Sequence, residues 1–170
     1  MASLVEELLN VLDEETSKYD ALYDLSTKKR DCIVHRDLAE LEKTAGVEND
    51  LVGDLKNLEK KRVRILRDMS VVLGRDNETL TVTEIIVKLE KQPKEQEALT
   101  QARDRLVKAA TNMQFMNDQN AVLLSQAIEM VDFDLTLFKS MRQAPETANY
   151  GRNAISTGDI LPSGGFDAKQ

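Results

Sequence analysis

The sequence predicts an all-α protein: a long antiparallel helical hairpin, a third long helix packed against it as in a three-helix bundle or coiled coil, a short extra helix and a flexible C-terminal tail. The 170 residues suffice for one domain with a core. The composition, 31% charged and only 4% aromatic, favours amphipathic helices over sheets. Apolar residues recur at helical spacing until about residue 142, and Gly, Pro, Ser and Asn dominate afterwards. We therefore expect a helical domain over 1–142 and a tail over 143–170.

The first helix is predicted over 3–34, where Ser3 and Glu6 have the spacing of a capping box. The stretch VHRD, residues 34–37, predicts a tight connection. Asp37 is a good N-cap for a second helix, and Glu40 is placed to complete another capping box. A connection this short makes the two long helices an antiparallel hairpin.

The second helix should run to about Leu73, with Gly74 as its C-cap. Gly46 and Gly53 lie inside it, and each costs up to about 1 kcal/mol of helix propensity relative to alanine. We expect the helix to tolerate both glycines, with room for a local irregularity there.

A loop over 75–81 is followed by a short helix, 84–91, for which Thr83 is the predicted cap. Pro93 then suits the first turn of the last helix, predicted from about Lys94 to Met141. Two rows of this helix repeat every seven residues and form a coiled-coil-like seam. The first row is Ala102, Ala109, Met116, Leu123, Met130 and Leu137; the second is Leu99, Leu106, Met113, Asn120, Ala127, Asp134 and Met141, with polar residues at 120 and 134.

The last helix carries an unusually wide apolar arc. In residues 121–138, AVLLSQAIEMVDFDLTLF, the polar side chains gather on one narrow stripe, apart from Gln126 and Asp134. A surface helix normally shows an apolar arc of little more than 100°. The short helix, a second subunit or a partner's helix must cover the excess. Central packing among four helices and a partner-binding surface both remain open.

Charge and composition exclude several classes of protein. A net charge of −7 argues against nucleic-acid binding and against attraction to acidic membranes. The single cysteine, Cys32, cannot form an internal disulfide, which fits a reducing compartment. The N-terminus lacks a basic region and a cleavage site, and no run of about 18 apolar residues occurs, so we expect a soluble cytoplasmic protein without membrane insertion.

The sequence offers no set of residues for catalysis, a metal or a cofactor. Cys32 and the only histidine, His35, form a single C-x-x-H, and no second pair completes a zinc site. Neither a Gly-rich phosphate loop nor a credible nucleophile–base set occurs. We therefore expect no enzyme activity.

Several segments together resemble the FlgN family of flagellar type III export chaperones. Residues 4–43 are similar to the family's first helix, turn and second helix, and Asn120, Leu123 and Leu124 match its Asn-x-x-Leu-Leu segment. Tyr150 and Gly151, followed by FDAK at 166–169, resemble its tail. A longer insert around 74–93, and Gln170 where glycine is expected, depart from the pattern.

The resemblance implies a cytoplasmic chaperone that binds the C-terminal segments of hook–filament junction proteins, prevents their premature assembly and delivers them to the export gate. It also implies that Tyr150 and Gly151 dock on the gate's cytoplasmic domain; the alternative is that the ring folds back onto the bundle. Client contacts are predicted from the apolar arc, at Leu123, Leu124, Ala127, Met130, Val131, Leu137 and Phe138. The chain would be a monomer or a homodimer. The alternative function is a structural coiled-coil adaptor or oligomerisation module without a client.

Overall fold

The computed structural model describes residues 2–75 and 80–142 of the chain. Within these ranges the protein forms four helices and no strand: α1 spans Ala2–His35, α2 Leu38–Val72, α3 Val82–Lys88 and α4 Pro93–Arg142. The predicted all-α class is therefore confirmed, with three long helices and one short one. Over the same ranges, none of the helices combines the length and apolarity that a membrane span requires.

The chain divides into two compact units, Met1–Ile128 and Glu129–Gln170. The first unit holds α1, α2, α3 and α4 as far as Ile128, and the described part of the second is the end of α4. The boundary predicted at residue 142 depends on residues 143–170, which lie outside the described residues. The division into 1–142 and 143–170 stays a prediction.

A two-residue connection joins α1 to α2. Arg36 adopts the left-handed conformation, with φ of 56°, and the amide of Asp37 donates to the carbonyl of Cys32 at 2.9 Å. Asp37 caps α2 as predicted, because its carboxylate accepts from the amide of Glu40 at 3.1 Å. The reciprocal half of the capping box does not form, since the Glu40 carboxylate accepts instead from Lys28 of α1.

The interior glycines of α2 do not disturb it. The helix continues through Gly46 and Gly53, so the local irregularity allowed for in this helix is absent. A Cβ added at either position would meet no atom within 4 Å. Neither glycine is therefore required by close packing.

The C-terminus of α2 is a Schellman motif. Gly74 has φ of 73°, as expected for a glycine that ends a helix. The amide of Gly74 donates to the carbonyl of Val71, and the amide of Arg75 donates to the carbonyl of Ser70, each at 2.9 Å. The same Ser70 accepts a hydrogen bond at its hydroxyl from the amide of Leu80 at 3.1 Å, which holds the approach to α3 against α2.

Two predicted helix starts are wrong. Ser3 lies inside α1, which begins at Ala2, so it cannot be the N-cap. α3 is capped by Thr81 rather than Thr83: the Thr81 hydroxyl accepts from the amide of Glu84 at 3.3 Å, and the Glu84 carboxylate accepts from the amide of Thr81 at 2.7 Å. A carboxylate stands three residues after Thr81, whereas an apolar residue stands three after Thr83.

The main core lies where the start of α1, the end of α2, α3 and the start of α4 meet. Its buried members come from all four helices and from the residues that flank α3: Val5, Leu8, Val11, Leu12, Ile65, Leu66, Met69, Leu80, Ile85, Ile86, Leu89, Leu99, Ala102 and Leu106. The side-chain amide of Gln96 also donates to the carbonyl of Ile86 at 3.0 Å, which ties α4 to α3. α3 therefore closes the end of the bundle opposite the α1–α2 turn.

Polar contacts confirm the directions of the long helices. Lys18 pairs with Asp54 and Lys29 with Glu48, both at 2.7 Å, so α2 runs antiparallel to α1. Arg105 of α4 pairs with Asp13 of α1, also at 2.7 Å. Further along both helices, Asn120 of α4 contacts Ser26 of α1. α4 therefore runs parallel to α1, along the hairpin.

Candidate functional site

The burial of α4 changes at Asn120. As far as this residue the predicted seam is buried, except for the half-buried Met113. After Asn120 no residue of α4 is buried, although the seven-residue repeat continues. The second part of the helix therefore presents apolar side chains to solvent.

Asn120 makes the last buried contact of this seam. Its side chain is 2% exposed, and Nδ2 donates to the carbonyl of Ser26, itself buried, at 2.8 Å. The Oδ1 atom of Asn120 is buried without a hydrogen-bond partner. The polar interruption noted in the sequence is thus a direct link between α4 and α1.

Three of the predicted client-contact residues belong to the first unit. Leu123 and Ala127 are half-buried, and Leu124 is exposed. The nearby Val122 and Ile128 are also exposed. In this stretch the seam residues are half-buried, and the exposed apolar side chains are their neighbours along the helix.

The other four predicted residues belong to the second unit, where the apolar arc is fully developed. Met130, Val131, Leu137 and Phe138 are exposed by 47–67%. Sequence reasoning left three neighbours out of the predicted set: Phe133 at 67% exposure, Leu135 at 52% and Met141 at 66%. Position on the same wide arc would have identified them. From here on, the name apolar arc is kept for seven exposed residues of this second unit: Met130, Val131, Phe133, Leu135, Leu137, Phe138 and Met141.

Within the first unit, the short helix packs near the start of α4. The buried residues of α3, Ile85 and Ile86, belong to the core around Leu99 and Leu106. Leu106 lies sixteen positions before Val122, roughly 24 Å at 1.5 Å per residue. The exposed side chains of the apolar arc are open to the other two coverings considered from the sequence, a second subunit and a partner's helix.

A groove between α1, α2 and α4 in the first unit is lined in part by an ion pair. The carboxylate of Glu15, only 3% exposed, accepts from Arg62 at 2.9 Å. Burial raises the pKa of Glu15, and the Arg62 charge offsets that effect only in part. Tyr19, Leu22 and Met113 contribute apolar walls. The pair links α1 to α2.

The described residues assemble no metal centre. Within 2–75 and 80–142, no three His, Cys, Asp or Glu side chains are grouped so as to hold a metal ion. Cys32 is buried, whereas His35 is exposed, with Nδ1 placed 2.8 Å from the carbonyl of Asp31. Tyr150 and Gly151, the predicted gate-binding residues, lie outside the described residues.

The comparison with protein families returns one match. The model of the family described as FlgN protein matches residues 1–156 of the 170-residue chain. No curated protein and no solved structure shows significant similarity to the chain. The match covers all four helices, including the apolar arc, and continues past Tyr150 and Gly151.

Proposed function

Because the chain belongs to the FlgN family of flagellar export chaperones, we propose that it binds the C-terminal segments of hook–filament junction proteins in the cytoplasm. It holds these clients apart until export and delivers them to the cytoplasmic domain of the type III export gate. Family membership supports the chaperone role and the binding of flagellar clients. The identity of the clients and delivery to the gate are the proposed steps.

The observation that carries the proposal is the apolar arc. Seven large apolar side chains, each at least 47% exposed, lie within residues 129–142 of one helix. Contiguous apolar surface of this kind marks a site for a protein partner, because leaving it in water is unfavourable. A helix face is suited to an amphipathic client segment, which would lay its own apolar side on the arc. Binding would remove both apolar surfaces from water and keep the client from self-association, with no chemical step.

The proposed delivery step uses Tyr150 and Gly151. A tyrosine offers a large apolar ring and a polar hydroxyl, which together make a good anchor in a preformed pocket. Its position after the end of α4 would leave the arc available to the client while the ring binds the gate. The alternative, in which the ring packs against the chain's own helices, predicts that its removal changes stability.

Client binding is tested with a matched pair of variants. Val131 of the apolar arc and Val63 of α2 are both 47% exposed. Val131→Asp should abolish co-purification with a junction protein from the same genome, whereas Val63→Asp should leave it intact. Thermal melts of both variants should stay close to that of the unmodified chain, because neither change buries a charge. Equal client binding by the two variants would contradict the proposed surface.

Gate delivery is tested separately, with the client already bound. Tyr150→Ala should keep client binding and lose capture by the gate's cytoplasmic domain. Tyr150→Phe should restore part of that capture, because most of the contact area belongs to the ring. Loss of client binding in Tyr150→Ala would instead place the ring in the client site. If the chain is a dimer that binds no client, and if neither Val131→Asp nor Tyr150→Ala alters that dimer, the structural adaptor would be favoured.

A further inference from the structure

One charged residue stands in the middle of the apolar arc. Asp134 lies three or four positions from Met130, Val131, Leu137 and Phe138, the spacing of side chains that are neighbours on a helix surface. These four are exposed, and Asp134 is half-buried. The other acids of residues 129–142, Glu129 and Asp132, lie on the polar stripe. Asp134 is thus the carboxylate that any partner covering the arc must also cover.

Covering Asp134 has an energetic consequence. Removing water from a carboxylate is strongly unfavourable unless a cation or hydrogen-bond donors replace that water. Among the described residues, no ion pair or side-chain hydrogen bond includes Asp134. Its neighbours three and four positions away are all apolar, so its own helix surface supplies no cation. The compensating group has to come from the partner, and a cation compensates a dehydrated carboxylate more strongly than a neutral hydrogen-bond donor does.

Asp134 also argues against a pairing of two copies of this chain that is centred on this residue. Two arcs paired symmetrically about Asp134 would bring two carboxylates together in an apolar contact. The cations of residues 129–142 are Lys139 and Arg142. Lys139 lies on the polar stripe, and Arg142 lies eight positions after Asp134, so in this pairing neither would face the two carboxylates. Symmetric pairing about this residue would therefore bury like charges without compensation.

We propose that the occupant of the apolar arc is an amphipathic helix of another protein that carries a lysine or arginine within its apolar face, and that Asp134 pairs with this residue. The inference rests on the proposed function and adds a rule for choosing among clients. An apolar helix without the basic residue would leave Asp134 buried and unpaired. Asp134 thereby selects against hydrophobic segments in general and fixes the position of the correct one along α4.

The test measures binding of synthetic peptides covering the C-terminal segments of the junction proteins to the full-length chain. Asp134→Lys should weaken binding by about 30-fold or more, because it sets like charges together in a dehydrated contact. Asp132→Lys is the matched control: it makes the same charge change on the polar stripe and should alter affinity by no more than about threefold. Melting curves recorded beside the titrations should agree for both variants, since both sites are accessible to water in the free chain.

A charge swap then identifies the partner residue. Each lysine or arginine of the binding peptide is changed to glutamate in turn, and one such peptide should bind Asp134→Lys at least about tenfold better than it binds the unmodified chain. Equal peptide affinities of Asp134→Lys and Asp132→Lys would overturn the pairing while leaving the proposed function in place. No binding of any peptide to the unmodified chain would overturn the proposed function itself. The unmodified chain is also compared with Val131→Asp by sedimentation. A dimer of the unmodified chain that becomes a monomer in Val131→Asp would show that a second copy occupies the arc, and would also overturn the inference.

Discussion

The side-chain amide of Asn120 in α4 donates to the backbone carbonyl of Ser26 in α1 at 2.8 Å, and both residues are almost completely buried. The apolar seam would allow α4 to slide along α1 with little change in packing. A directional hydrogen bond inside that seam favours a single alignment, as buried asparagines do in coiled coils. The contact also lies at the point where α4 passes from buried to exposed.

Asn120→Asp should be among the more destabilising single changes in this bundle. It replaces the donor with a carboxylate that faces a carbonyl oxygen in a buried site, at a cost of about 3 kcal/mol. Asn120→Leu should stay within about 1 kcal/mol of the unmodified chain, because it also removes the unpartnered Oδ1. Urea unfolding followed by circular dichroism measures both variants. Similar losses for the two would show that shape, rather than hydrogen bonding, governs this site.

The Glu15–Arg62 pair should respond unequally to removal of its two members. Arg62→Met leaves a buried carboxylate without its cation and should cost about 3 kcal/mol at neutral pH. Glu15→Gln should cost less, because the Arg62 side chain is 27% exposed and can be hydrated. Guanidinium unfolding at pH 7 would rank the two variants, and a larger loss for Glu15→Gln would contradict this account.

The pair should also have a defined pH dependence. Burial raises the pKa of Glu15 above the ordinary 4.5, so the folded chain takes up this proton before the unfolded chain does. As the pH falls from above the pKa of Glu15 in the folded chain toward about 4.5, the destabilising effect of the buried carboxylate is therefore lost, and the free energy of unfolding gains from this residue. Arg62→Met raises that pKa further and should enlarge the gain. Unfolding curves between pH 7 and about 4.5 should show a steeper dependence for Arg62→Met; parallel dependences would refute the linkage.

Gly46→Ala and Gly53→Ala should each stabilise the protein by about 0.5–1 kcal/mol. Both positions are inside α2 and have open space around the added methyl group. The two gains should add, because the sites are seven residues apart on one helix. Gly74→Ala is the control and should destabilise, since its φ of 73° is strained for a residue with a Cβ. Thermal melts should show a higher melting temperature for Gly46→Ala and Gly53→Ala than for the unmodified chain, and a lower one for Gly74→Ala.

Thr81→Ala should lower the free energy of unfolding by about 1 kcal/mol, because it removes the N-cap of α3. Thr83→Ala should be neutral or slightly stabilising, since Thr83 is an exposed residue inside the helix and alanine has the higher helix propensity. A comparison of the chemical denaturation midpoints of the two variants shows which threonine is the N-cap of α3 and which is an interior residue of the helix. If Thr83→Ala proved the more harmful, the cap would have to be reassigned.

Sequence patterns predicted the helices well because their period records which side chains share a face. Asp37 was identifiable as a cap, and Leu99, Ala102 and Leu106 of the seam are buried as the repeat implied. The same repeat includes Met130, Leu137 and Met141, which are exposed. Periodicity defines an apolar face without specifying what covers it, so burial along α4 could not be derived from the pattern alone.

The start of α3 was missed although a signal was present. Leu80 precedes the true cap, and Ile85 stands four positions after that cap; both are buried in the main core. A hydrophobic pair with this spacing around Thr81 is the mark of a hydrophobic staple. The role of Glu40 could not be foreseen in the same way, because its ion pair with Lys28 exists only once the hairpin has closed.

The short turn at Arg36 and Asp37 allows α1 and α2 to pair during synthesis before α4 has been made. α1 and α2 are complete, and can close on each other, well before the ribosome has made Leu99 and Ala102. Until then Leu8 and Met69 lack their partners from α4. A chain truncated before residue 93 would therefore keep α1, α2 and α3 but lack the α4 side of the main core, so its uncovered apolar side chains would favour aggregation or pairing with another incomplete copy.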